Sequence, residues 1–149
     1  MISNTFSEAI LSAQYYFINK DNIHPDEIIK LRESVGWTGD TPERWRECIV
    51  QSLAVVGVRN TEHELVGMAC LTGSVRHAVL CDLAVDPSHQ RKGVGAAIMS
   101  ELYKAINDIG ISYVYAELAS TNPFRESMIQ SGFKNTGDSL FIETETHVA

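Results

Sequence analysis

The sequence predicts a mixed α/β fold, and three stretches carry that prediction. Two apolar runs, Ala54 to Arg59 and Glu64 to Thr72, flank the polar link Asn60-Thr61-Glu62-His63, the pattern of an antiparallel hairpin. The run Ala78 to Val85 is apolar except for Asp82, as expected of a strand covered on both faces. Beyond it, Val94, Ile98, Leu102, Ala105, Ile106 and Ile109 recur at helical spacing before the next strand-like run. A hairpin section thus feeds a β-α-β section, which calls for a sheet of mixed pairing sense.

The remaining elements follow in order. Ala13 to Ile18, rich in Tyr, Phe and Ile, reads as a first strand. Pro25 opens a helix whose first turn holds Asp26 and Glu27, where negative charge suits the helix dipole. Ile28, Leu31 and Val35 form its stripe, and Gly36 ends it. After the loop Trp37-Thr38-Gly39-Asp40, Thr41 caps a second helix with Pro42 in its first position and Trp45, Cys48, Ile49 and Leu53 on one side. Gly110 stops the long helix, Tyr113 to Leu118 is a strand, and Asn122-Pro123 starts a shorter helix closed by Gly132. A short β piece near Lys134 and a last strand, Leu140 to Thr144, complete the order β-α-α-β-β-β-α-β-α-β with one added strand.

A chain of 149 residues makes a single domain, 1–149, with enough interior to fold without disulfide or metal. Nineteen Asp and Glu against 12 Lys and Arg leave a net charge of −7, which argues against a nucleic-acid partner. No run approaches the ~20 apolar residues of a membrane span. The segment Met1-Ile2-Ser3-Asn4-Thr5 lacks the basic flank and apolar core of a secretory signal. Cys48, Cys70 and Cys81 are odd in number and set in apolar stretches, which reads as reduced, buried thiols in a cytoplasmic protein. The five histidines are scattered, with no CxxC or HxxxH spacing, so the sequence offers no metal site.

One segment carries chemistry: the run from Leu80 through Asp86-Pro87-Ser88-His89-Gln90-Arg91-Lys92-Gly93-Val94-Gly95 to Ala97. A buried strand ends, a polar turn follows, and glycines open a long helix. The first N–H groups of a helix lack internal partners and carry the positive end of its dipole, so they form an anion cradle. Glycine lets a phosphate approach the backbone, and Arg91 and Lys92 add positive charge in an acidic protein. The alternative is a glycine-containing turn with a solvated basic pair. The dinucleotide fingerprint GxGxxG fails at Ile98, and no GxxxxGK[ST] loop occurs.

The string Gln90-Arg91-Lys92-Gly93-Val94-Gly95 resembles the Q/R-x-x-G-x-G/A signature of the GNAT superfamily of acyl-CoA-dependent N-acetyltransferases. Leu83-Ala84-Val85-Asp86-Pro87 upstream, and Asn122 with Gly132-Phe133 downstream, extend the likeness over about Ala54 to Phe133. A looser resemblance, through Val35-Gly36-Trp37 and Val79 to Pro87, is to plant and bacterial arylalkylamine acetyltransferases. The resemblance implies a mostly antiparallel central sheet flanked by helices and splayed between its two central strands. It implies acetyl-CoA as co-substrate and no metal. The pyrophosphate would rest on backbone N–H groups of Arg91, Lys92, Gly93, Val94, Gly95 and Ala96, with Gln90 beside them. The pantetheine arm would pair with Leu83, Ala84 and Val85 like an added strand. Asn122 either borders that arm or caps the following helix.

The implied activity is transfer of an acetyl group to a primary amine by direct attack; the alternative is a non-catalytic acyl-CoA sensor or interaction module. An alkylammonium of pKa near ~10 must lose a proton before it attacks. Asp82, a carboxylate in an apolar run, is a candidate base; otherwise it is a helix- or solvent-facing Asp satisfied by hydrogen bonds. Tyr115 and Glu117 share a strand face and are further candidates, against core packing and solvation; His77 is a candidate or simply an exposed strand end. Trp37 either walls an amine pocket or lies in the core. Many family members carry F-Y-x-x-x-G-F, whose Tyr protonates the leaving thiolate, and here Met128 stands in the Tyr position. The acceptor is a small-molecule or Lys amine. A homodimer through Leu140-Phe141-Ile142 is one use of that strand, and ordinary sheet burial is the other.

Overall fold

The computed structural model describes residues 11–117, 122–135 and 139–143. The expected strand ends Leu118 and Thr144 lie outside them. The chain forms β1 (Tyr15–Asn19), α1 (Pro25–Ser34), α2 (Pro42–Gln51), β2 (Ala54–Asn60), β3 (Leu65–Gly73), β4 (His77–Val85), α3 (Val94–Ile109), β5 (Tyr113–Glu117), α4 (Arg125–Gln130), β6 (Lys134–Asn135) and β7 (Ser139–Glu143). The expected first strand starts two residues late, because Ala13 and Gln14 form a turn that Tyr15 N closes on Ser12 O.

The strands make one sheet in the order β1-β2-β3-β4-β5-β7-β6. Every pairing is antiparallel except β4 with β5, which is parallel and crossed over by α3. The sheet is therefore mixed, mostly antiparallel and flanked by helices. β7 lies between β5 and β6, so Leu140 and Ile142 are buried within the sheet and β6 takes the edge.

Two apolar layers cover the sheet. On one face α3 supplies Val94, Ile98, Leu102, Tyr103 and Ile106 against Val58, Val66, Leu71, Leu80 and Val114. On the other, α1 and α2 supply Ile28, Leu31, Trp45 and Ile49 against Val55, Met68, Cys70 and Ala84. The continuous apolar run of β4 follows from this, since Leu80 faces one layer and Ala84 the other.

Those two residues have the same parity, so a regular strand would send them to one face. A bulge separates them. Cys70 pairs with Cys81 and Met68 with Ala84, leaving one extra residue on β4. Asp82 takes up the irregularity with φ 58°, a left-handed conformation that costs a non-glycine residue about 1–2 kcal/mol. On its other side β4 pairs with β5 only from His77 to Leu80. Beyond Leu80 the two strands part, with no further pairing among the described residues.

The caps place the functional loops. His24 caps α1 in a capping box: its Nδ1 accepts from Asp26 N, and His24 N donates to Glu27 Oε2 at 3.0 Å. At the other end Gly36, with φ 87°, lets Trp37 N donate to Arg32 O and Gly36 N to Glu33 O. This turn folds Trp37 back over the Arg32 side chain, with the guanidinium carbon 5.1 Å from the ring centroid. Thr41 Oγ1 caps α2 by accepting from Arg44 N.

Candidate functional site

Where β4 leaves β5, a cavity of about 700 Å³ opens on the α3 side of the sheet. Leu83 and Val85 line it from β4, Gln90, Arg91 and Gly93 from the loop, and Gly95 and Ala96 from the first turn of α3. Asn122, Pro123 and Phe124 close the far side. The loop backbone is left-handed at Arg91 (φ 62°) and Gly93 (φ 82°), and α3 begins with no side-chain cap. The first N–H groups of α3 are therefore donors without a capping side chain at the mouth of a cavity, a favourable place for an anion. A Cβ on Gly95 would come within 2.8 Å of Phe124 Cζ, so the second glycine of the motif lets Phe124 close on the helix.

Eight of the eleven residues expected to hold a cofactor line this cavity: Leu83, Val85, Gln90, Arg91, Gly93, Gly95, Ala96 and Asn122. Gln90 also shapes it, because its Nε2 donates to Val85 O at 2.9 Å and ties the loop to the strand end. Asn122 lines the cavity, and its Oδ1 accepts from Phe124 N in the turn before α4, whose N-cap is Phe124 and carries no side-chain cap. The Ala84 and Val94 side chains are buried in the two core layers, so only their backbones can serve a ligand. Lys92 is exposed beside the loop. Pro123 and Phe124 escaped the sequence reading, because apolar residues at a short helix start look like ordinary core.

Across the strand lies a second, smaller arrangement. The bulge turns Asp82 toward α1, where its Oδ1 accepts from Arg32 Nη1. The Arg32 guanidinium sits between two indoles, 5.1 Å from the Trp37 centroid and 5.2 Å from that of Trp45. Its Nη2 is 3.9 Å from Asp40 Oδ2, and Asp40 Oδ1 also accepts from Arg44 Nε at 3.2 Å. Asp40, Arg44, Trp45, Cys48 and Asp82 line a cavity of about 190 Å³. Trp45 is 4% exposed, and its indole Nε1–H is buried with no hydrogen-bond partner among the described residues. Such a donor ordinarily costs about 1–3 kcal/mol. Burial pushes the Cys48 thiol up, and burial followed by the Asp82 charge pushes Cys81 up to about 12. Both thiols are accordingly poor nucleophiles.

The catalytic candidates fall into place unevenly. Asp82 is not a carboxylate isolated among apolar neighbours: Arg32 holds it, and it faces a helix as the alternative reading expected. Tyr115 is 38% exposed, so core packing does not account for it. It pairs with Val79, three residues before Asp82 and about 10 Å back along the strand, and neither cavity includes it. His77 stacks on Tyr113 with centroids 4.9 Å apart, at the same distant end. Trp37 is 40% exposed and reaches the small cavity only through Arg32. Met128 is fully buried in the α3 layer. Arg32, Asp40, Arg44 and Trp45 were invisible as a group, because they converge only when α1 and α2 dock on the bulge. Among the described residues no cluster of three or more His, Cys, Asp or Glu is placed to hold a metal ion, and no helix is long and apolar enough to cross a membrane.

The family model described as Acetyltransferase (GNAT) family matches residues 20–133, and the chain belongs to that family. An uncharacterized N-acetyltransferase ycf52-like protein of Prochlorococcus marinus is 34% identical over 92 residues, covering 59% of this chain. The match spans about half of that relative, 51% of its length. Among solved structures, a probable acetyltransferase from meticillin-resistant Staphylococcus aureus superposes with a TM-score of 0.69 at 23% identity, covering 82% of this chain and 91% of that one. The N-acetylglutamate synthase of Neisseria gonorrhoeae, solved with coenzyme A and N-acetyl-glutamate, gives a TM-score of 0.64 at 18% identity over 89% of this chain and 36% of its own. These two likenesses establish the fold.

Proposed function

We propose that the protein transfers an acetyl group from acetyl-CoA to a primary amine. The observation that carries this reading is the 700 Å³ cavity running from the unpaired end of β4 to the uncapped N-terminus of α3. Its two ends suit the two halves of such a donor. The N–H groups from Arg91 to Ala96 receive the pyrophosphate. The free side of Leu83-Ala84-Val85 receives the pantetheine amides as an added strand. The structural neighbour solved with coenzyme A supports a CoA-derived ligand on this fold.

The chemistry asked of the chain is mainly positioning. The amine nitrogen bonds to the thioester carbon, a backbone N–H of β4 near Val85 stabilises the oxyanion, and the carbon–sulfur bond breaks. The amine proton passes to solvent or a carboxylate, and the thiolate takes a proton from water. Met128, buried and without an ionisable group, supplies none. That missing acid motivates the second reading, an acyl-CoA sensor that binds and does not turn over.

Calorimetry with acetyl-CoA tests the donor site. The unaltered protein should bind with micromolar affinity. Gly93→Glu should abolish binding by placing a carboxylate at the cradle, while Gly93→Asn, neutral and tolerant of left-handed backbone, should retain it. Absence of binding by the unaltered protein would overturn the reading. Binding without amine-dependent release of CoA across an amine panel would select the sensor.

A further inference from the structure

β1 ends the sheet, and its outer edge has no partner among the described residues. Backbone polar groups point alternately to the two sides of a strand, which fixes what that edge presents. Asn60 N donates to Glu64 O and Asn60 O accepts from His63 N, both within the β2-β3 hairpin. Asn60 therefore faces away from β1. Alternation then aims Arg59 and Gly57 at β1, and their partners Tyr16 and Ile18 make the ladder bonds. Tyr15, Phe17 and Asn19 aim outward. The Tyr15 N–H already donates to Ser12 O. Tyr15 O, Phe17 N–H, Phe17 O and Asn19 N–H face the open edge.

Natural sheets guard such an edge with charge, proline or a bulge. β1 has none of these: Tyr-Tyr-Phe-Ile-Asn is uncharged in a chain with 21% charged residues, and its register with β2 is unbroken. The opposite edge, β6, is two residues long and carries Lys134. Tyr16 and Phe17 stand on opposite faces of β1, and both are exposed. A helix or loop docked on one face would cover one of them, whereas a strand added at the edge covers both. The turn at Ala13-Gln14 and a 3-10 turn, Lys20–Asn22, bound the strand, so a register centred on Phe17 is the one that engages every outward group. An inverted second copy supplies that match. Phe17 N–H meets the partner's Phe17 O, Asn19 N–H meets the partner's Tyr15 O, and both bonds are returned. Beyond the ladder Lys20 lies opposite the partner's Gln14 and Asp21 opposite the partner's Ala13, so like charges do not meet.

We propose that β1 is a self-pairing edge: two copies of the chain join antiparallel through Tyr15–Asn19 about a two-fold axis at Phe17, continuing the sheet from one protomer into the next. Phe17 packs on the partner's Phe17 on the α3 face, to which Tyr15 also belongs. On the other face Tyr16, whose hydroxyl is 2.7 Å from His63 Nδ1, lies over the partner's Ile18. The dimer thus forms at the end of the sheet opposite Leu140-Phe141-Ile142. It does not depend on the acetyltransferase reading, because β4 and its cavities lie three strands away.

Sedimentation equilibrium from about 5 to about 500 µM tests the pairing, in about 0.15 M salt, which screens the −7 charge of each chain beyond ~8 Å. A five-residue ladder is a small interface, so the expected Kd is about 10 µM. Hydrogen–deuterium exchange resolved to single amides reads the geometry. The Phe17 and Asn19 amides should exchange about sixfold more slowly at the highest concentration than at the lowest, while those of Tyr16 and Ile18, bonded to β2, should be slow at both. Phe17→Lys should weaken dimerisation about tenfold or more with an unchanged circular dichroism spectrum. Should that variant fail to fold, the exchange pattern of the unaltered chain decides alone. A monomeric mass throughout would overturn the proposal, as would a dimer that Phe17→Lys leaves undiminished or in which the Phe17 and Asn19 amides exchange fast at every concentration. A monomeric mass with those amides slow at every concentration would assign the edge to the chain's own residues 1–10 and overturn it equally.

Discussion

Asp82 and Glu27 show how differently one carboxylate serves a fold from another. Asp82 stands in left-handed backbone at a bulge and is held by a guanidinium that two indoles enclose. Glu27 stands in a capping box and also accepts two bonds from Arg59, at 2.6 and 2.8 Å, fastening α1 to β2. The Arg59 hydrogen bonds hold the Glu27 carboxyl below its ordinary value near 4.5, against the opposing effect of burial. Its depressed folded-state pKa means the stabilisation is complete above the unfolded value and is lost as pH falls through the folded one. Urea denaturation from pH 7 to pH 3 should therefore show stability declining below about pH 4.5. Glu27→Gln should flatten that decline and, because the pair is partly exposed, lower stability at pH 7 by only about 0.5–1 kcal/mol.

At the scale of elements, the turn into α3 and the turn out of α1 do the positioning. Gly36 in left-handed backbone sends Trp37 back over Arg32, and Gly93 in left-handed backbone starts α3 without a cap. Gly95 is needed for another reason, since Phe124 packs where its Cβ would be. Gly95→Val should displace the Phe124 ring into the large cavity. Strain of about 1–3 kcal/mol is expected from such overpacking. Acetyl-CoA affinity should fall about tenfold or more in calorimetry, while circular dichroism stays that of the folded chain.

At the scale of the molecule, the sheet is a partition with a gap. The large cavity lies on the α3 face, the small cavity on the α1 and α2 face, and β4 between them is continuous only in its first half with β5. Such a partition works only if the layers stay at fixed depth. Gly67 on β3 sets part of that depth, because a Cβ there would meet Ile98 Cδ1 and Val94 Cγ1, each at 2.9 Å. Gly67→Val should lift α3 from the sheet and cost about 1–3 kcal/mol in urea denaturation with an unchanged m-value.

Most elements of this fold are local events, and local chemistry writes them into the sequence. Pro25, Pro42, Thr41, Gly36 and Gly110 mark helix ends because they act on their own neighbouring backbone. The α3 stripe is legible because burial of one face imposes a helical period. The loop that lines the large cavity is legible for the same reason: Gly93, Gly95 and the first turn of α3 are contiguous in sequence. The small cavity is not. Its residues come from the loop before α2, from α2 itself and from a strand some forty residues on, and Arg32 comes from a third element. Nothing local signals that Asp82 will bulge, because the extra residue is defined only by where Cys70 and Met68 of β3 find their partners. Sequence thus determines what each segment becomes and which loop opens the long helix. Which side chains meet across the sheet is decided by register and layer packing, interactions whose partners lie far apart along the chain.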